Sequence, residues 1–400
     1  MGLGKTYTGA EKMIRLGAEV NLLICQKSKI QDWRNHFAEH YKYDISAYDL
    51  TDKKQWNDFW ENPCGFRYRA GIINYELAWR RKDLLKLHEI TLMLDESSLI
   101  QNKTAKQTKF ILKLDAANVI LLSGTPTSGK YENLWTQARL LGWEISESLY
   151  QRQYVNWNTI KIPGGQFVKV VDKANPYKNV DRLKSKLREH GAVFLKTEDV
   201  MNLPEQTFIE INVSKPKQYD KFMKDSIVTV NGAELVGDTS LTKRLYAREL
   251  CGIYSNEKLE AFRDLISSTN DRIIVFYNFK HELFELNMIA CECDKPVSRI
   301  DGDFKNLGAY EENNNSITFV QYQAGAMGLN LQKANKIIYY SLPERSELFE
   351  QSKKRIHRIG QEKPCFYYLM ICQNTVEVNI YEALKQRKDF TDELFRECEK

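Results

Sequence analysis

Leu92-Met93-Leu94-Asp95-Glu96-Ser97-Ser98 is the stretch that decides the fold, because it is an apolar strand that ends in two adjacent carboxylates. Helical patterns such as Thr104–Leu114 lie between this strand and others like it. The predicted strands of this half are Val20–Cys25, Ala70–Asn74, Thr91–Asp95 and Asn118–Ser123. Short apolar strands that alternate with helices favour a parallel sheet covered on both faces. We therefore predict an α/β fold.

The two carboxylates at the strand end have two interpretations. Asp95 and Glu96 can begin a helix that Ser97 and Ser98 cap. Alternatively, Asp95 binds Mg²⁺ while Glu96 orients and deprotonates a water molecule beside a nucleotide phosphate. A phosphate-binding loop in the same sheet would favour the second interpretation.

Such a loop begins the chain, in Met1-Gly2-Leu3-Gly4-Lys5-Thr6. Gly2 and Gly4 let backbone N–H groups approach phosphate oxygens, and a helix N-terminus follows them. Lys5 would reach the terminal phosphates, and the Thr6 hydroxyl would bind Mg²⁺. The full motif has a further Gly upstream of these residues. We therefore expect a chain that starts within this motif. An N-myristoylation signal also matches, but no basic cluster follows it closely.

Composition limits the class of protein. The 400 residues are long enough for two or three domains. With 42% hydrophobic residues and a mean hydropathy of −0.51, we predict a soluble, cytoplasmic protein without a membrane segment, in the host cytoplasm if it is viral. The net charge of +5 permits an anionic partner without requiring one. Eight scattered cysteines are typical of free thiols in a reducing compartment.

Two loops that follow predicted strands carry small and polar residues. Ser123, Gly124 and Thr125 form either an ordinary turn or a turn that senses a bound nucleotide. Further along, Gly328 and Asn330 would let the backbone approach a phosphate of a nucleotide or a nucleic acid. A simple connecting loop is the alternative there.

Residues 257–400 repeat the alternating pattern, after a less regular and more basic region at 142–256. Helices in that region are predicted at Val180–His190 and Leu241–Tyr254. The predicted elements beyond it are strands at Arg272–Tyr277, Ser316–Gln321, Lys336–Ser341 and Phe366–Cys372, and helices at Lys280–Cys291, Leu348–His357 and Val376–Lys388. The chain therefore contains two sheet domains with an insertion.

Gln351-Ser352-Lys353-Lys354-Arg355-Ile356-His357-Arg358-Ile359-Gly360-Gln361 is the most informative segment of the second half. Arg355 and Arg358 are three residues apart, so they are predicted to share one helical face. Two guanidinium groups there would meet the charge of a transferring phosphoryl group. A basic helix end is the alternative, but it leaves Gln351 unexplained.

The order of these motifs resembles the Swi/Snf-like branch of superfamily 2 DEAD/DEAH-type helicases, and compact bacteriophage-type members look closest. The segments that carry the resemblance are Gly2–Thr6, Asp95–Ser98, Ser123–Pro126, Gly325–Gln332 and Gln351–Gln361. Weaker matches lie at Leu22–Trp33, Ile72–Glu76, Leu203–Gln206 and Ile274–Phe279. The resemblance covers nearly the whole chain.

The resemblance implies two RecA-like lobes with helical insertions, at residues 1–205 (insertion about 142–200) and 206–400 (insertion about 214–256). ATP with Mg²⁺ would lie between the lobes, so that hydrolysis requires their closure. The implied ATP-binding residues are Gly2, Gly4, Lys5, Thr6, Gly328 and Gln351, with Thr6 and Asp95 on Mg²⁺. The implied catalytic residues are Glu96, Arg355 and Arg358, and the coupling or DNA-binding residues are Ser123, Gly124, Thr125 and Asn330.

The implied function is an ATP-dependent helicase or translocase that moves on DNA or remodels it. We expect double-stranded DNA, contacted through its phosphates, a monomeric chain, no membrane partner, and a recruiting protein that the sequence does not identify. Two alternatives stay open. One is a DNA- or protein-binding module whose ATP site is impaired by the truncated loop. The other is a P-loop NTPase unconnected with nucleic acid.

Overall fold

The computed structural model describes residues 4–62, 65, 67–127, 129–162, 165–195, 202–230, 232–325 and 329–395. Contacts divide the chain into two units, Met1–Val200 with Asp389–Lys400 and Met201–Lys388. This division falls a few residues before the predicted boundary at 205/206. In the described ranges, no helix is long and apolar enough to cross a membrane.

The first unit contains a five-stranded parallel sheet in the order β2-β3-β1-β4-β5. Its strands are β1 Val20–Cys25, β2 Ile45–Asp49, β3 Tyr68–Asn74, β4 Ile90–Asp95 and β5 Ala116–Leu122. Because all five strands run in the same direction, the residues that follow their carboxyl ends share one edge of the sheet. Gln26, Tyr75, Glu96 and Ser123 lie at this edge.

Helices cover this sheet, and both of its faces are buried. The helices of the first unit are α1 Lys5–Leu16, α2 Ile30–His40, α3 Lys53–Glu61, α4 Tyr75–Ala78, α5 Lys106–Ile111, α6 Trp135–Leu140, α7 Glu147–Tyr154 and α8 Val180–Glu189. Successive side chains of a strand point to opposite faces. Leu92 therefore joins one apolar core, while its neighbour Met93 joins the other.

Helix α1 lies unusually close to the sheet. Gly9 is buried in this helix, and a Cβ atom there would come within 2.7 Å of Leu122 Cδ1 and 2.9 Å of Met93 Sδ. No real side chain fits such a distance without displacing its neighbours. The missing side chain therefore fixes how near the first turn of α1 lies to the ends of β4 and β5.

The region at 142–195 differs from its helical prediction, because it contains a β-hairpin between α7 and α8. Strands β6 Trp157–Lys161 and β7 Phe167–Val171 pair antiparallel with each other and with no other strand of the described residues. Two-residue glycine turns such as Gly164-Gly165 signal a hairpin, but the flanking strands lack clean apolar alternation.

The second unit contains a seven-stranded sheet in the order β13-β12-β14-β11-β15-β16-β8. Its pairs are parallel except for β12 with β13. The strands are β8 Gln206–Val213, β11 Ile273–Tyr277, β12 Val297–Ile300, β13 Lys305–Asn306, β14 Ile317–Gln321, β15 Lys336–Tyr339 and β16 Cys365–Cys372. A separate hairpin joins β9 Ile227–Val230 to β10 Ala233–Val236. The predicted α/β fold with two parallel-sheet lobes is thus confirmed.

The remaining helices are α9 Tyr219–Asp225, α10 Ser240–Ile253, α11 Asn256–Ser267, α12 Lys280–Glu292, α13 Gly308–Glu312, α14 Tyr322–Gly325, α15 Ser346–Lys353 and α16 Val376–Phe395. The prediction of a helix over Leu348–His357 is wrong at its carboxyl end, because α15 stops at Lys353. This difference changes the surroundings of both predicted arginines.

Candidate active site

The carboxyl end of β4 brings three of the predicted site residues together. Glu96 follows the last residue of this strand, and its φ of 57° is unusual for a residue with a side chain. Lys5 Nζ donates a hydrogen bond of 3.1 Å to Glu96 Oε1. Glu96 Oε2 is buried and has no hydrogen-bond partner among the residues that the structure describes. The side chain therefore keeps one acceptor oxygen available at this position.

Asp95 lies beside this pair and is held by residues from two other strand ends. Trp33 Nε1, in α2 after β1, donates a hydrogen bond of 2.9 Å to Asp95 Oδ2. The Tyr75 hydroxyl, directly after β3, donates to the backbone carbonyl of Asp95 at 2.9 Å. Burial raises the pKa of Asp95, and the hydrogen bond from Trp33 opposes this shift. The second carboxylate is thus fixed in orientation.

The first turn of α1 supplies the partner of these acids. Gly4 precedes the helix with a φ of 68°, and a Cβ atom at this position would meet nothing within 4 Å. Lys5 and Thr6 begin the helix, and no acidic residue lies in its first turn. Unbonded N–H groups at a helix start attract phosphates. Gly2, which we predicted in the same loop, lies outside the described residues.

Ser97 and Ser98 do not cap a helix that begins at Asp95, so the alternative interpretation of the two acids finds no support. Both serines lie inside a 3₁₀ turn, Ser97–Ile100, which has no side-chain cap. The Ser97 hydroxyl instead donates a hydrogen bond of 2.9 Å to Gln137 Oε1. It therefore connects the acidic strand end to helix α6.

That connection continues to the polar turn after β5. Gln137 Nε2 donates a hydrogen bond of 2.7 Å to the backbone carbonyl of Pro126. Within the turn, Ser123 Oγ accepts from the Thr125 backbone N–H at 3.1 Å, while Gly124 lies between them. Gln137 was missed by the sequence analysis, since a single glutamine in a helix gives no signal of this contact.

Arg355 and Arg358 do not share a helical face, because they follow the end of α15 in a run of turns. Bonds from distant residues redirect the chain here. Gln361 Nε2 donates to the backbone carbonyl of Ala334 at 2.8 Å, and Gly360 has a φ of 90°. His357 Nε2 lies 2.9 Å from the carbonyl oxygen of Pro204. These contacts explain why the helical periodicity of the sequence stops at Lys353.

The two arginines nevertheless differ in their surroundings. Arg355 is buried, and its backbone carbonyl accepts a hydrogen bond of 3.1 Å from the Leu331 N–H. This bond places the loop of Asn330, which is exposed, beside the arginine segment. Arg358 is half-buried, and burial lowers its pKa. In the described part of the chain it has no ion pair.

The other predicted residues of the second unit are less informative. Gln351 lies in α15 and is partly exposed. Gly328 lies outside the described residues. No bond printed by the geometry brings Gln351 to Asn330, so the structure leaves the roles of both as predictions.

Comparison with protein families decides the relationship. The SNF2-related domain matches residues 1–253, more than half of the chain. The chain belongs to the SNF2-related family. The helicase conserved C-terminal domain matches residues 257–360, so the Swi/Snf-like assignment within the helicases is confirmed. The first family match extends beyond Val200, and its last part covers α9 and α10 of the second unit.

Relatives of this SNF2-related chain are distant but extensive. The mouse SWI/SNF-related matrix-associated actin-dependent regulator of chromatin subfamily A member 1 is 24% identical over 97% of this chain and 40% of its own length. An uncharacterized ATP-dependent helicase of Bacillus subtilis, YqhH, is 22% identical over 97% of this chain and 73% of its own length. The chain thus spans about two fifths of the mouse relative.

One solved structure of the same family aligns along most of the chain. It is the Sulfolobus solfataricus SWI2/SNF2 ATPase core in complex with dsDNA, with 18% identity, 98% of this chain and 86% of that chain covered. Its TM-score of 0.42 is too low to support an inference about this chain.

Proposed function

We propose that this chain hydrolyses ATP and couples the hydrolysis to movement on DNA or to its remodelling. The observation that carries the proposal is the contact of 3.1 Å between Lys5 and Glu96, beside Asp95 and at the start of a helix. A lysine at a helix start next to two strand-end carboxylates suits a magnesium nucleotide. Membership of the SNF2-related family supports the same activity.

The residues present fit such a nucleotide. Thr6 offers a hydroxyl and Asp95 a carboxylate, and oxygen donors of this kind suit Mg²⁺. Mg²⁺ would neutralise the charge that develops on the phosphates. Lys5 would exchange its carboxylate partner for phosphate oxygens, which frees Glu96 to accept a proton from water. The unbonded Oε2 of Glu96 supports this role.

Arg355 and Arg358 are proposed as the arginines that meet the charge of the transferring phosphoryl group. Arg358 supports this role best, because a half-buried guanidinium with no ion pair in the described residues suits an anionic ligand. Gly2, Gly4, Gln351 and Gly328 are proposed as further nucleotide contacts.

DNA, double-stranded and bound through its phosphates, is the proposed partner. The family supports this proposal, as does the positive net charge of +5. Ser123, Gly124, Thr125 and Asn330 would couple the nucleotide state to DNA. A monomer in the cytoplasm, a recruiting protein, a bacteriophage-type origin and a start within the phosphate-binding loop stay predictions from the sequence.

The test is release of inorganic phosphate from ATP with and without duplex DNA. We expect DNA to stimulate hydrolysis, and we expect Lys5→Ala and Arg358→Ala each to abolish it. An arginine that acts on the phosphoryl group contributes about 10³–10⁵-fold in rate. Lys86→Ala is the matched control, because Lys86 forms an exposed ion pair with Asp83 far from the sheet edge.

Three outcomes would overturn the proposal. Hydrolysis that DNA does not stimulate would indicate an NTPase unconnected with nucleic acid. DNA binding without hydrolysis would indicate a binding module with an impaired ATP site. Normal hydrolysis by the Arg358→Ala variant would remove this arginine from the mechanism.

A further inference from the structure

The β6–β7 hairpin of the first unit is a solvent-exposed element that the ATPase site does not use. Strands Trp157–Lys161 and Phe167–Val171 pair only with each other in the described residues. Large apolar side chains nevertheless project from it into solvent. Their exposed fractions are 40% for Trp157, 45% for Ile160, 71% for Phe167 and 39% for Val168. Apolar groups clustered in this way on a surface mark a binding site more often than scattered ones do.

The strand register separates these side chains onto two faces. Trp157 lies opposite Val171, Thr159 opposite Lys169, and Lys161 opposite Phe167. Cross-strand partners share a face, and alternate residues of a strand point to opposite faces. One face therefore carries two aromatic rings and two lysines, and the other carries Asn158, Ile160, Val168 and Val170. We call them the aromatic face and the aliphatic face.

The aromatic face has the spacing of a stacking platform. Trp157 and Phe167 lie at opposite ends of the paired region, four residues apart along the strand and thus about 13 Å apart. Lys169 lies between them, and Lys161 is directly beside Phe167. Aromatic rings that alternate with cations bind single-stranded nucleic acids, because the rings stack on bases and the cations contact phosphates.

An isolated hairpin is marginally stable in water, but this one is fixed at its base. Tyr177 stacks on Tyr131 with ring centroids 4.4 Å apart, and its hydroxyl donates to Glu132 Oε2 at 2.8 Å. Asn156 bonds across the base to Pro176 and Asp172 through its backbone. Asp172 is engaged within this base, since it accepts from the Asn158 amide at 2.7 Å. The strands therefore project from a rigid root.

Charge favours a nucleic acid over an apolar protein partner. Lys161, Lys169 and Lys173 lie in or beside the strands and are exposed, against the single acidic residue Asp172. An anionic strand would gain from these cations, and its bases would cover the rings. A partner that recognised only apolar surface would instead use the aliphatic face.

We propose that the aromatic face of the β6–β7 hairpin binds the unpaired bases of single-stranded DNA. Trp157 and Phe167 stack on two separate bases, while Lys161 and Lys169 contact the phosphates between them. This site goes beyond the proposed function, because it acts on bases and requires neither ATP nor hydrolysis. It would let the protein recognise a junction between duplex and single strand.

The test compares two fluorescent oligonucleotides of equal length, an oligothymidylate and its abasic analogue, by anisotropy without nucleotide. The full chain should bind the oligothymidylate more tightly, and Trp157→Ala with Phe167→Ala should bind both alike. Each ring removed should weaken oligothymidylate binding about 10-fold. Lys161→Ala with Lys169→Ala should weaken both oligonucleotides and reduce the salt dependence of binding by about 1 in the log–log slope.

The aliphatic face provides the matched control, in the variant Ile160→Ala with Val168→Ala. It removes comparable apolar surface from the same strands, and we expect it to bind both oligonucleotides as the unaltered chain does. Equal loss in this variant would overturn the proposal, as would equal affinity of the unaltered chain for the two oligonucleotides. Unchanged binding by the Trp157 and Phe167 variant would also overturn it and indicate a protein-docking hairpin. Duplex-stimulated ATP hydrolysis, measured on the same variants, should not change, so failure of the ATPase proposal is recognised separately.

Discussion

Two lysine–glutamate pairs, one in each unit, use the same chemistry for different purposes. Lys5 and Glu96 meet at the sheet edge with one contact of 3.1 Å, and their side chains are 26% and 19% exposed. Lys258 and Glu377 meet in the second unit with contacts of 2.7 and 2.8 Å, and their side chains are 0% and 4% exposed. The first pair is open on one side, and the second is enclosed.

The difference lies in how many acceptor positions are occupied. Both oxygens of Glu377 contact Lys258, and one also accepts from the Cys372 N–H at 2.8 Å. Burial lowers the pKa of Lys258, but the nearby Glu377 carboxylate raises it by more, so the pKa lies above its ordinary value. Glu96 retains an unbonded oxygen. A fully bonded pair stabilises a fold, whereas a partly bonded pair at a strand end is available for chemistry.

A metal ion is a possible occupant of the enclosed site, because Cys251 and Cys372 accompany Glu377 there. The potential ligand atoms of these three residues lie within 4.8 Å of one another. The ammonium of Lys258 occupies the same carboxylate, however, and repels a cation. We therefore interpret the site as a structural ion pair with two neighbouring thiols.

The largest effect should come from Glu96→Gln, which breaks the open pair. We expect hydrolysis to fall by about 10²–10⁴-fold, because the amide cannot accept a proton from water. The free energy of unfolding should change by less than about 1 kcal/mol, since a partly exposed ion pair stabilises little. Phosphate release and urea unfolding measure the two quantities, with Asp83→Asn as the exposed control. A large loss of stability would contradict the functional assignment of this pair.

Lys258→Met breaks the enclosed pair and should act in the opposite sense, on stability. It leaves the Glu377 carboxylate buried without its cation, which costs about 3–5 kcal/mol in free energy of unfolding. Lys280→Met, which removes an exposed partner of Asp303, is the control and should stay within about 0.5 kcal/mol. Equal midpoints of urea unfolding for the two variants would show that the buried pair contributes no more than a surface pair.

The double variant Lys258→Met with Glu377→Gln sharpens the same comparison. It removes both charges but keeps an acceptor for the Cys372 N–H. We expect it to recover about 2 kcal/mol relative to Lys258→Met alone, because no unpaired buried charge remains. Urea unfolding of the three proteins measures this coupling. A double variant no more stable than Lys258→Met would indicate that packing, and not charge, accounts for the loss.

Asp95→Asn should have the smallest effect on stability and a pH dependence that identifies its cause. Burial raises the pKa of Asp95 above its ordinary 3.8, so the folded chain holds this proton more tightly than the unfolded chain. The free energy of unfolding therefore falls as pH rises from about 3.8 through the folded pKa. Asn removes this loss, so the variant should be more stable than the unaltered chain at neutral pH.

The stability difference between Asp95→Asn and the unaltered chain should shrink as the pH falls below 3.8. Magnesium-dependent hydrolysis should be lost at the same time. Urea unfolding across a pH series measures the stability difference. A variant less stable than the unaltered chain at neutral pH would show that the hydrogen bond from Trp33 outweighs the cost of burying the charge.

The sequence predicted those parts of the fold whose signal is local. β1 was predicted with its observed bounds, Val20–Cys25, because five of its residues are buried and most are apolar. β2, Ile45–Asp49, was not predicted, since an edge strand needs little apolar surface and its sequence is half polar. The β6–β7 hairpin was missed for a related reason, because both of its faces meet solvent and no apolar periodicity is required.

The candidate site was predictable only as far as its motifs extend. Lys5, Asp95 and Glu96 were placed together correctly because strand ends of a parallel sheet share one edge. The contacts of Trp33 and Gln137 depend on packing between distant segments, and no local pattern indicates them. The end of α15 at Lys353 depends on Gln361 in the same way, since long-range bonds override helical periodicity there.

Gly9 makes the geometry of the sheet edge sensitive to a single methyl group. The space between α1 and the strands accepts no Cβ atom, as the 2.7 Å approach to Leu122 indicates. Replacement by alanine would move the helix outward, and Lys5, one turn earlier, would move with it. The helix therefore works as a spacer of fixed thickness between lysine and acids. Breeding a more stable α1 by the usual exchange of glycine for alanine would lengthen that spacer and separate the pair.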